Sequence, residues 1–414
     1  MNLMTGKLLW PYTIGPIESY PTLNTDIDCD TLVIGCGISG AAAAYELSKR
    51  GQRVVVLEKR QVGHGSTSAN TGLLQFCNDK HLTSCIHSFG EDKGVRFYRL
   101  CQQAVKRLIH LSDELVMDPM IIPRSSLYTA SSEEDVEMLR AEYETLRKYD
   151  FPVEWWTSEV IQAAFGFVRP AAIVTHGDAE VNPFLLLHAL LRTAVSQYDL
   201  QIYENTEAMR YHYEPDRIIV ETSDGHHITA KHAIIAMGYE AQELKRDRNA
   251  VIQSTYAMIT EPIHGLDQVW HKGMLFWESA RPYFYMRTTS DHRIVAGGYD
   301  TATANAEERD GMLPHKTKLL VQQIEELFPS LTPIQAEYAW AAEFVSTHDG
   351  YPLIGKHEDY PHCLFIENYG GNGTAYAVFA AAMISDMIEH GAHPDEDLFR
   401  FDRPAYASTP LKND

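Results

Sequence analysis

Nowhere along the 414 residues do lysine and arginine gather into a block. They number 35 against 56 acidic residues, for a formal net charge of −21. Nucleic-acid binding needs clustered cations that displace counterions, so that partner class is disfavoured, and so is an anionic membrane surface. Long apolar runs are missing too. The longest, Ala375 to Ile384, falls short of the roughly 20 residues that span a bilayer. The stretch Met1–Trp10 lacks the charged-then-apolar pattern of a secretion signal, so the expectation is a cytoplasmic protein. Six cysteines (Cys29, Cys36, Cys77, Cys85, Cys101, Cys363) make no Cys-x-x-Cys and no paired framework, which predicts free thiols. There is no internal repeat and no low-complexity tract. With 45% hydrophobic and 22% charged residues, the composition is that of a globular enzyme of two or three packed units.

The richest local pattern lies between Asp28 and Lys59. A short apolar strand, Thr31–Ile34, runs into Gly35-Cys-Gly37-Ile38-Ser39-Gly40. A helix-forming run to Arg50 follows, then a second strand, Val54–Leu57, ending in Glu58. Gly35 permits a tight turn, Gly37 lets the backbone approach a pyrophosphate, and Gly40 allows close helix–strand packing. The helix N-terminus faces the phosphates, and Glu58 can accept hydrogen bonds from a ribose. A glycine pattern alone is weak; strand, turn, helix, strand and acid in register make a dinucleotide fingerprint. The acid disfavours a 2′-phosphate, leaving FAD or NAD.

FAD is the better choice of the two. After the second strand comes Gly63-His-Gly65 and a small, hydroxyl-rich loop of Ser66, Thr67, Ser68, Ala69, Asn70, Thr71, Gly72 and Leu73, suited to lying along a long flat cofactor. Far downstream, Asn368-Tyr-Gly370-Gly371-Asn372-Gly373-Thr374 opens the helical segment Ala375–His390. A helix N-terminus aimed at a flavin ring stabilises the negative charge of its reduced form, although the same glycines could be a plain strand–helix turn. No second complete fingerprint provides a separate nicotinamide site.

With these segments in order, the chain resembles the D-amino-acid oxidase superfamily, in its glycine oxidase, sarcosine oxidase and gamma-glutamylputrescine oxidase branch. The resemblance covers nearly the whole chain. It is carried by Tyr20–Asn24 with Asp28-Cys-Asp30, by Gly65–Leu73, and by Asp178–Pro183 ahead of the helix Phe184–Gln197. Ile228–Gly238, Trp340-Ala-Ala and Thr347–Gly355 complete it. It implies a discontinuous α/β architecture, a Rossmann-type FAD-binding domain (24–93, 173–243, 341–395) with a mixed substrate domain built on an antiparallel β-sheet (94–172, 244–340). Residues 1–23 form an N-terminal extension and 396–414 a C-terminal tail. It also implies that Lys59, Ala208 and Gly238 lie beside the ADP part. Members that attach flavin covalently use a His in the loop or a Cys near the last glycine turn. This chain has Ala69 at the first position and no Cys in Ala341–Ser346, so noncovalent FAD is implied. Glycine oxidase-like members hold a substrate carboxylate with an Arg aligned to Glu343–Val345, and sarcosine oxidase-like members place an oxygen-activating Lys where Val295 stands. Both departures weigh against an α-carboxylate substrate and against oxygen as the required acceptor.

The pattern predicts helices over Gly94–Met117 and Glu134–Tyr149, a hairpin from Arg217–Ser223 to Ile228–Ala233, and sheet strands at Gln253–Thr260, Gly273–Trp277, Tyr283–Arg287 and Arg293–Gly298. Amine oxidation by a flavin needs an apolar, aromatic wall with few ionisable groups. Within this sheet Tyr256 and Tyr285 are the leading wall residues, ahead of Met258, Trp277 and Tyr283, although most such aromatics are core. Arg287 could hold a distant carboxylate or cap its strand. Glu343 could attract a substrate cation or sit in a buried ion pair. His348 could orient substrate or be a structural turn residue. Cys77, His81, Cys85 and His87 have the composition of a zinc site, but His87 leaves the helical face that the others would share, so no metal is expected. The reading is a FAD-dependent oxidoreductase that converts the C–N bond of a small amine or amino acid derivative to an imine. The flavin is reoxidised by oxygen or another acceptor. The rival is C–O oxidation of a 2-hydroxy acid or glycerol phosphate, which would need a convergent Arg/Lys pair; Arg287 and Arg293 are the obvious sheet cations. No pattern assigns an oligomeric state.

Overall fold

Strands that are apolar on both faces belong in the middle of a parallel sheet, covered on either side by helices. Thr31–Ile34 and Val54–Leu57 meet that description, and they are neighbours in such a sheet. The computed structural model describes residues 3–15, 17 and 19–403; the expected tail from 404 onward and the first two residues of the N-terminal extension lie outside the described residues. Five parallel strands run side by side in the order Cys363–Glu367, His227–Ile235, Ile27–Ile34, Val54–Leu57, Gln201–Tyr203. Leu353–Lys356 closes one edge antiparallel, and the hairpin strands Ala208–Tyr213 and Ile218–Thr222 attach to His227–Ile235. The helices Ile38–Lys49, Pro183–Tyr198 and Gly373–His390 pack together beside this sheet.

The glycine turn works as its spacing predicts. Gly35 has φ +99°, a left-handed backbone, and a Cβ on Gly40 would stand 2.0 Å from the Gly35 carbonyl oxygen. No side chain fits there, so the helix Ile38–Lys49 can approach its strand only with glycine at that position.

A second sheet, ten-stranded among the described residues, carries the other half of the molecule. Its order is Met4–Lys7, Ala336–Thr347, Ala250–Thr260, Ile294–Thr301, Phe284–Thr288, Leu275–Glu278, Ile122–Thr129, Ala171–Glu180 and Leu73–Leu74. Val153–Thr157 also pairs with Ala171–Glu180. All four expected sheet strands are present. The expected helices appear as Glu91–Leu111 and Val136–Lys148. The boundaries drawn at 172/173 and 340/341 fall inside the strands Ala171–Glu180 and Ala336–Thr347, which belong wholly to this second sheet. Its far face is covered by the 22-residue helix Ala306–Leu327. No helix among the described residues is long and apolar enough to cross a membrane.

Candidate active site

A single trough runs between the two sheets, from the first glycine turn to the last. Its near end is lined by Gly35, Gly37, Ile38, Ser39, Glu58, Lys59, Ala208 and Gly238. The Glu58 carboxylate accepts the backbone N–H of Cys36 at 2.9 Å and that of Arg60 at 2.8 Å, which fixes it beside the turn. Lys59 and Arg60 are both held by Glu240, at 2.9 and 2.7 Å. Burial pushes the Glu240 carboxyl up, but these two cations outweigh it and keep its pKa below the usual range. The Thr67 hydroxyl accepts the Ile38 N–H at 2.9 Å, tying the polar loop to the start of the helix.

The loop after the second strand follows the trough, and three buried donors from distant parts of the chain pin it. Trp340 Nε1 donates to the carbonyl of Ala69 at 2.9 Å, Trp10 Nε1 to that of Asn70 at 2.6 Å, and Arg287 Nε to that of Thr71 at 2.8 Å. Arg287 also donates to the carbonyls of Val181 and Thr288, both at 2.9 Å. Ser66, Thr67, Asn70, Thr71 and Leu73 line the trough. Gly40, Ser68 and Gly72 do not. Gly40 packs on Gly35, the Ser68 hydroxyl donates to the Gly65 carbonyl, and Gly72 (φ +75°) turns the backbone against Val181.

At the far end stand Gly370, Gly371, Asn372, Gly373 and Thr374, at the start of the helix Gly373–His390. The turn is locked from behind. Gly370 N–H donates to the Val345 carbonyl at 2.9 Å, and Asn372 Nδ2 donates to the Cys77 carbonyl at 2.8 Å and to Asn78 Oδ1 at 2.9 Å. Facing the turn are Trp277, Tyr283 and Tyr285 from the second sheet, with Thr255, Gln75 and Asp79. Gly297 lies opposite Tyr285 in the sheet, and a Cβ there would be 2.3 Å from the tyrosine oxygen. Absence of a side chain lets the Tyr285 ring lie across the strand.

Of the five expected catalytic residues, Tyr285 and Glu343 line the trough and three do not. Tyr256 lies directly opposite Ala341 and Gly298, whereas its neighbours Thr255 and Ala257 lie opposite Ala342 and Trp340 on the face that borders the cavity. Its hydroxyl meets Thr301 at 3.0 Å, on the covered side. Arg287 is spent on the three carbonyls and a 3.9 Å approach to Glu180. Burial pushes its pKa down to about 10, with Glu180 opposing the shift. His348 is exposed in the turn after Ala336–Thr347, where its N–H meets the Asn249 carbonyl at 3.0 Å. Arg293 is bound to Asp291 and Glu337, so neither of the two expected sheet cations, Arg287 and Arg293, lines the trough. His81 meets the Tyr128 hydroxyl at 2.9 Å, and Cys85 Sγ meets the Lys80 carbonyl.

Reading the sequence passed over Asp79, Gln75 and Thr255, none of which belongs to a motif. Several buried polar atoms along the trough have no partner within the protein: Arg60 Nε, Gln75 Nε2, Trp277 Nε1, Glu343 Oε2 and Asn368 Oδ1. Such atoms are rare in native interiors and are accounted for when a ligand supplies the missing bonds. Backbone turns at each end, a pinned polar loop between them and unpaired donors and acceptors along the wall fit an extended dinucleotide.

The comparisons agree. Residues 30–387 match the model of the FAD dependent oxidoreductase family, DAO. Glycine oxidase of Bacillus licheniformis is 26% identical over 369 residues, which cover 87% of this chain and 92% of that protein. Gamma-glutamylputrescine oxidoreductase of Escherichia coli strain K12 is 22% identical over 404 residues, 94% of this chain and 89% of that one. Among solved structures, glycine oxidase from Geobacillus kaustophilus matches with a TM-score of 0.78 at 21% identity, covering 91% of this chain and 99% of that chain. Matched over most of its length and with a trough shaped for the cofactor, the chain belongs to the FAD dependent oxidoreductase family and is an FAD-binding oxidoreductase.

Proposed function

We propose that this oxidoreductase oxidises the C–N bond of a small amine or amine derivative, with FAD held noncovalently. Gly35, Gly37 and the start of the helix Ile38–Lys49 receive the pyrophosphate, Glu58 the adenosine ribose, and Gly370–Thr374 the ring end. When bound, FAD supplies two-electron acceptance: hydride leaves the carbon beside nitrogen, the nitrogen lone pair closes C=N, and a proton passes to solvent. The protein's part is to hold that carbon against the ring and keep water away. Trp277, Tyr283 and Tyr285 supply the apolar wall for this. Water then hydrolyses the released imine to a carbonyl compound and an amine or ammonia.

The observation that carries the reading is the charge of the ring end. Lys59 and Arg60 are the Lys and Arg side chains among the described residues that line the trough, and Glu240 holds both at the adenosine end. A 2-hydroxy acid or a glycerol phosphate is an anion, and among the described residues no Lys or Arg side chain lines the ring end to receive it. Nothing in the wall replaces the oxygen-activating lysine, so the acceptor is left open to oxygen or another oxidant. Anaerobic mixing with amines, amino acids and hydroxy acids tests the bond choice. Bleaching of the flavin by amines is the expected result, and bleaching by lactate or glycerol phosphate with none by any amine would overturn it.

A further inference from the structure

Beside the last glycine turn the wall of the trough is acidic. Asp79 lines the cavity and is exposed to it. It is so close to the turn that a Cβ on Gly371 would stand 2.8 Å from Asp79 Oδ2. Burial raises its pKa, while Arg281, the Gly371 N–H and His81 oppose the rise. No salt bridge to Asp79 occurs among the described residues. Arg281 donates to the carbonyls of Ser279 and Ala280 instead. Asp300, outside the cavity lining, is hydrogen-bonded by Thr255, interacts with Asp79 and has Oδ1 buried and unpartnered. Lys316 and Arg281 are the cations that act on Asp300, and Lys316 Nζ is engaged by the Tyr299 carbonyl at 2.7 Å, over the ring of Tyr256 on the covered face.

A second feature of this end points to a ligand. The Trp277 indole is only 7% exposed and lines the cavity, yet its N–H has no acceptor; the Gln75 amide N–H is in the same state. Buried donors without partners ask for an acceptor atom on whatever fills the space. Phe344 lines the trough where an arginine would grip an α-carboxylate. A carboxylate placed here would meet no Lys or Arg side chain in the cavity lining and would face the Asp79 carboxyl.

The reacting nitrogen must be neutral to release hydride, and a carboxylate held against it would keep it protonated. Two acids at the ring end therefore suit a charge that stays on the substrate throughout the reaction. We infer that Asp79, backed by Asp300, binds a second, non-reacting ammonium group, so that the substrate is a diamine-like cation with a hydrogen-bond acceptor and without an α-carboxylate. This rests on the C–N reading above and narrows it. Tyr283, Tyr285 and Trp277 add aromatic faces that favour a cation.

The test uses the purified holoenzyme and its Asp79→Asn and Asp79→Glu variants, each checked for full flavin content. The oxidised flavin spectrum is titrated anaerobically with 1,4-diaminobutane, butylamine, glycine and sarcosine. The diamine should perturb or bleach the flavin at about tenfold lower concentration than butylamine. Asp79→Asn should raise the diamine requirement about tenfold, to that of butylamine, as the partner of the second ammonium is lost. The butylamine requirement should change far less than that for the diamine, and Asp79→Glu should restore much of the preference. Diamine binding should also tighten as pH rises through about 6, because burial and the charge of Asp79 hold the Asp300 proton up to about that value against Thr255, Lys316 and Arg281; Tyr239, Tyr283 and Tyr285 are the other titratable groups near it. An unchanged diamine requirement in Asp79→Asn would overturn the inference. So would glycine or sarcosine acting at lower concentration than the diamine, or no response to the diamine at all. Bleaching by hydroxy acids alone would instead remove the C–N reading on which it stands.

Discussion

Glu58→Arg should purify as a folded protein that has lost its yellow colour. The carboxylate is fixed by the N–H groups of Cys36 and Arg60 at the mouth of the first glycine turn, so its oxygens present acceptors where a ribose offers hydroxyl donors. Arginine reverses this. It has no acceptor, it leaves both backbone donors unpaired, and it adds a cation next to Lys59 and Arg60. Losing a charged hydrogen-bonded partner in a buried site costs about 2–5 kcal/mol, which corresponds to FAD affinity falling roughly 30- to 3,000-fold. Glu58→Gln keeps an acceptor and should lose far less. Flavin content after gel filtration and titration of the apoprotein with FAD measure both. A fully yellow Glu58→Arg protein would show that the ribose is held elsewhere.

The other large effect is expected at Arg287, through structure rather than chemistry. Its guanidinium is only 2% exposed and satisfies the carbonyls of Thr71, Val181 and Thr288. Arg287→Met removes every one of these donors while keeping most of the volume. Glu180 is not stranded by the change, because Arg124 also binds it at 2.9 Å. The loss is therefore that of several charge-assisted hydrogen bonds, about 3 kcal/mol or more. At roughly 2 °C per kcal/mol for a protein of this size, the holoprotein should melt about 6 °C lower. FAD should also dissociate faster, because the loop from Ala69 to Thr71 follows the cofactor trough. Arg287→Lys keeps the charge but cannot reach three carbonyls, so it should fall between the two. A variant with unchanged melting and unchanged FAD release would mean the pinned loop does not support the cofactor.

What could be read from the sequence was what is local. Gly35, Gly37, Gly40 and Glu58 sit within one strand–turn–helix–strand unit, and each has a mechanical reason that spacing alone exposes. The last glycine turn was legible because Gly370–Gly373 opens a long apolar helix. The hairpin around Asp224-Gly225 and the four sheet strands followed from alternation and turn residues. Features that depend on long-range register were not legible. Tyr256 and Thr255 differ by one position, and in a pleated strand that difference decides which faces the cavity. A bulge between Ser254 and Tyr256 complicates the pairing further. The donors that pin the loop come from residues 10, 287 and 340, and nothing near them in the chain announces a common target. Arg287 is a carboxylate ligand by composition and a loop clamp by position. His348 belongs to a turn that borders the trough region in sequence but points to solvent. Asp79 lies in a stretch where nearby cysteines and histidines draw the eye to metal chemistry, and its partner Asp300 comes from a strand far along the chain. The helix Ala306–Leu327 carries Pro314 in its interior and only a short buried stripe, so its sequence has little helical signature.

Acid precipitation of the purified protein, with the flavin measured in supernatant and pellet, tests the central claim most directly. The account predicts about one FAD per chain, all of it released into solution, with a colourless pellet. Protein prepared with ample riboflavin that carries no flavin, or a pellet that stays yellow, would contradict it.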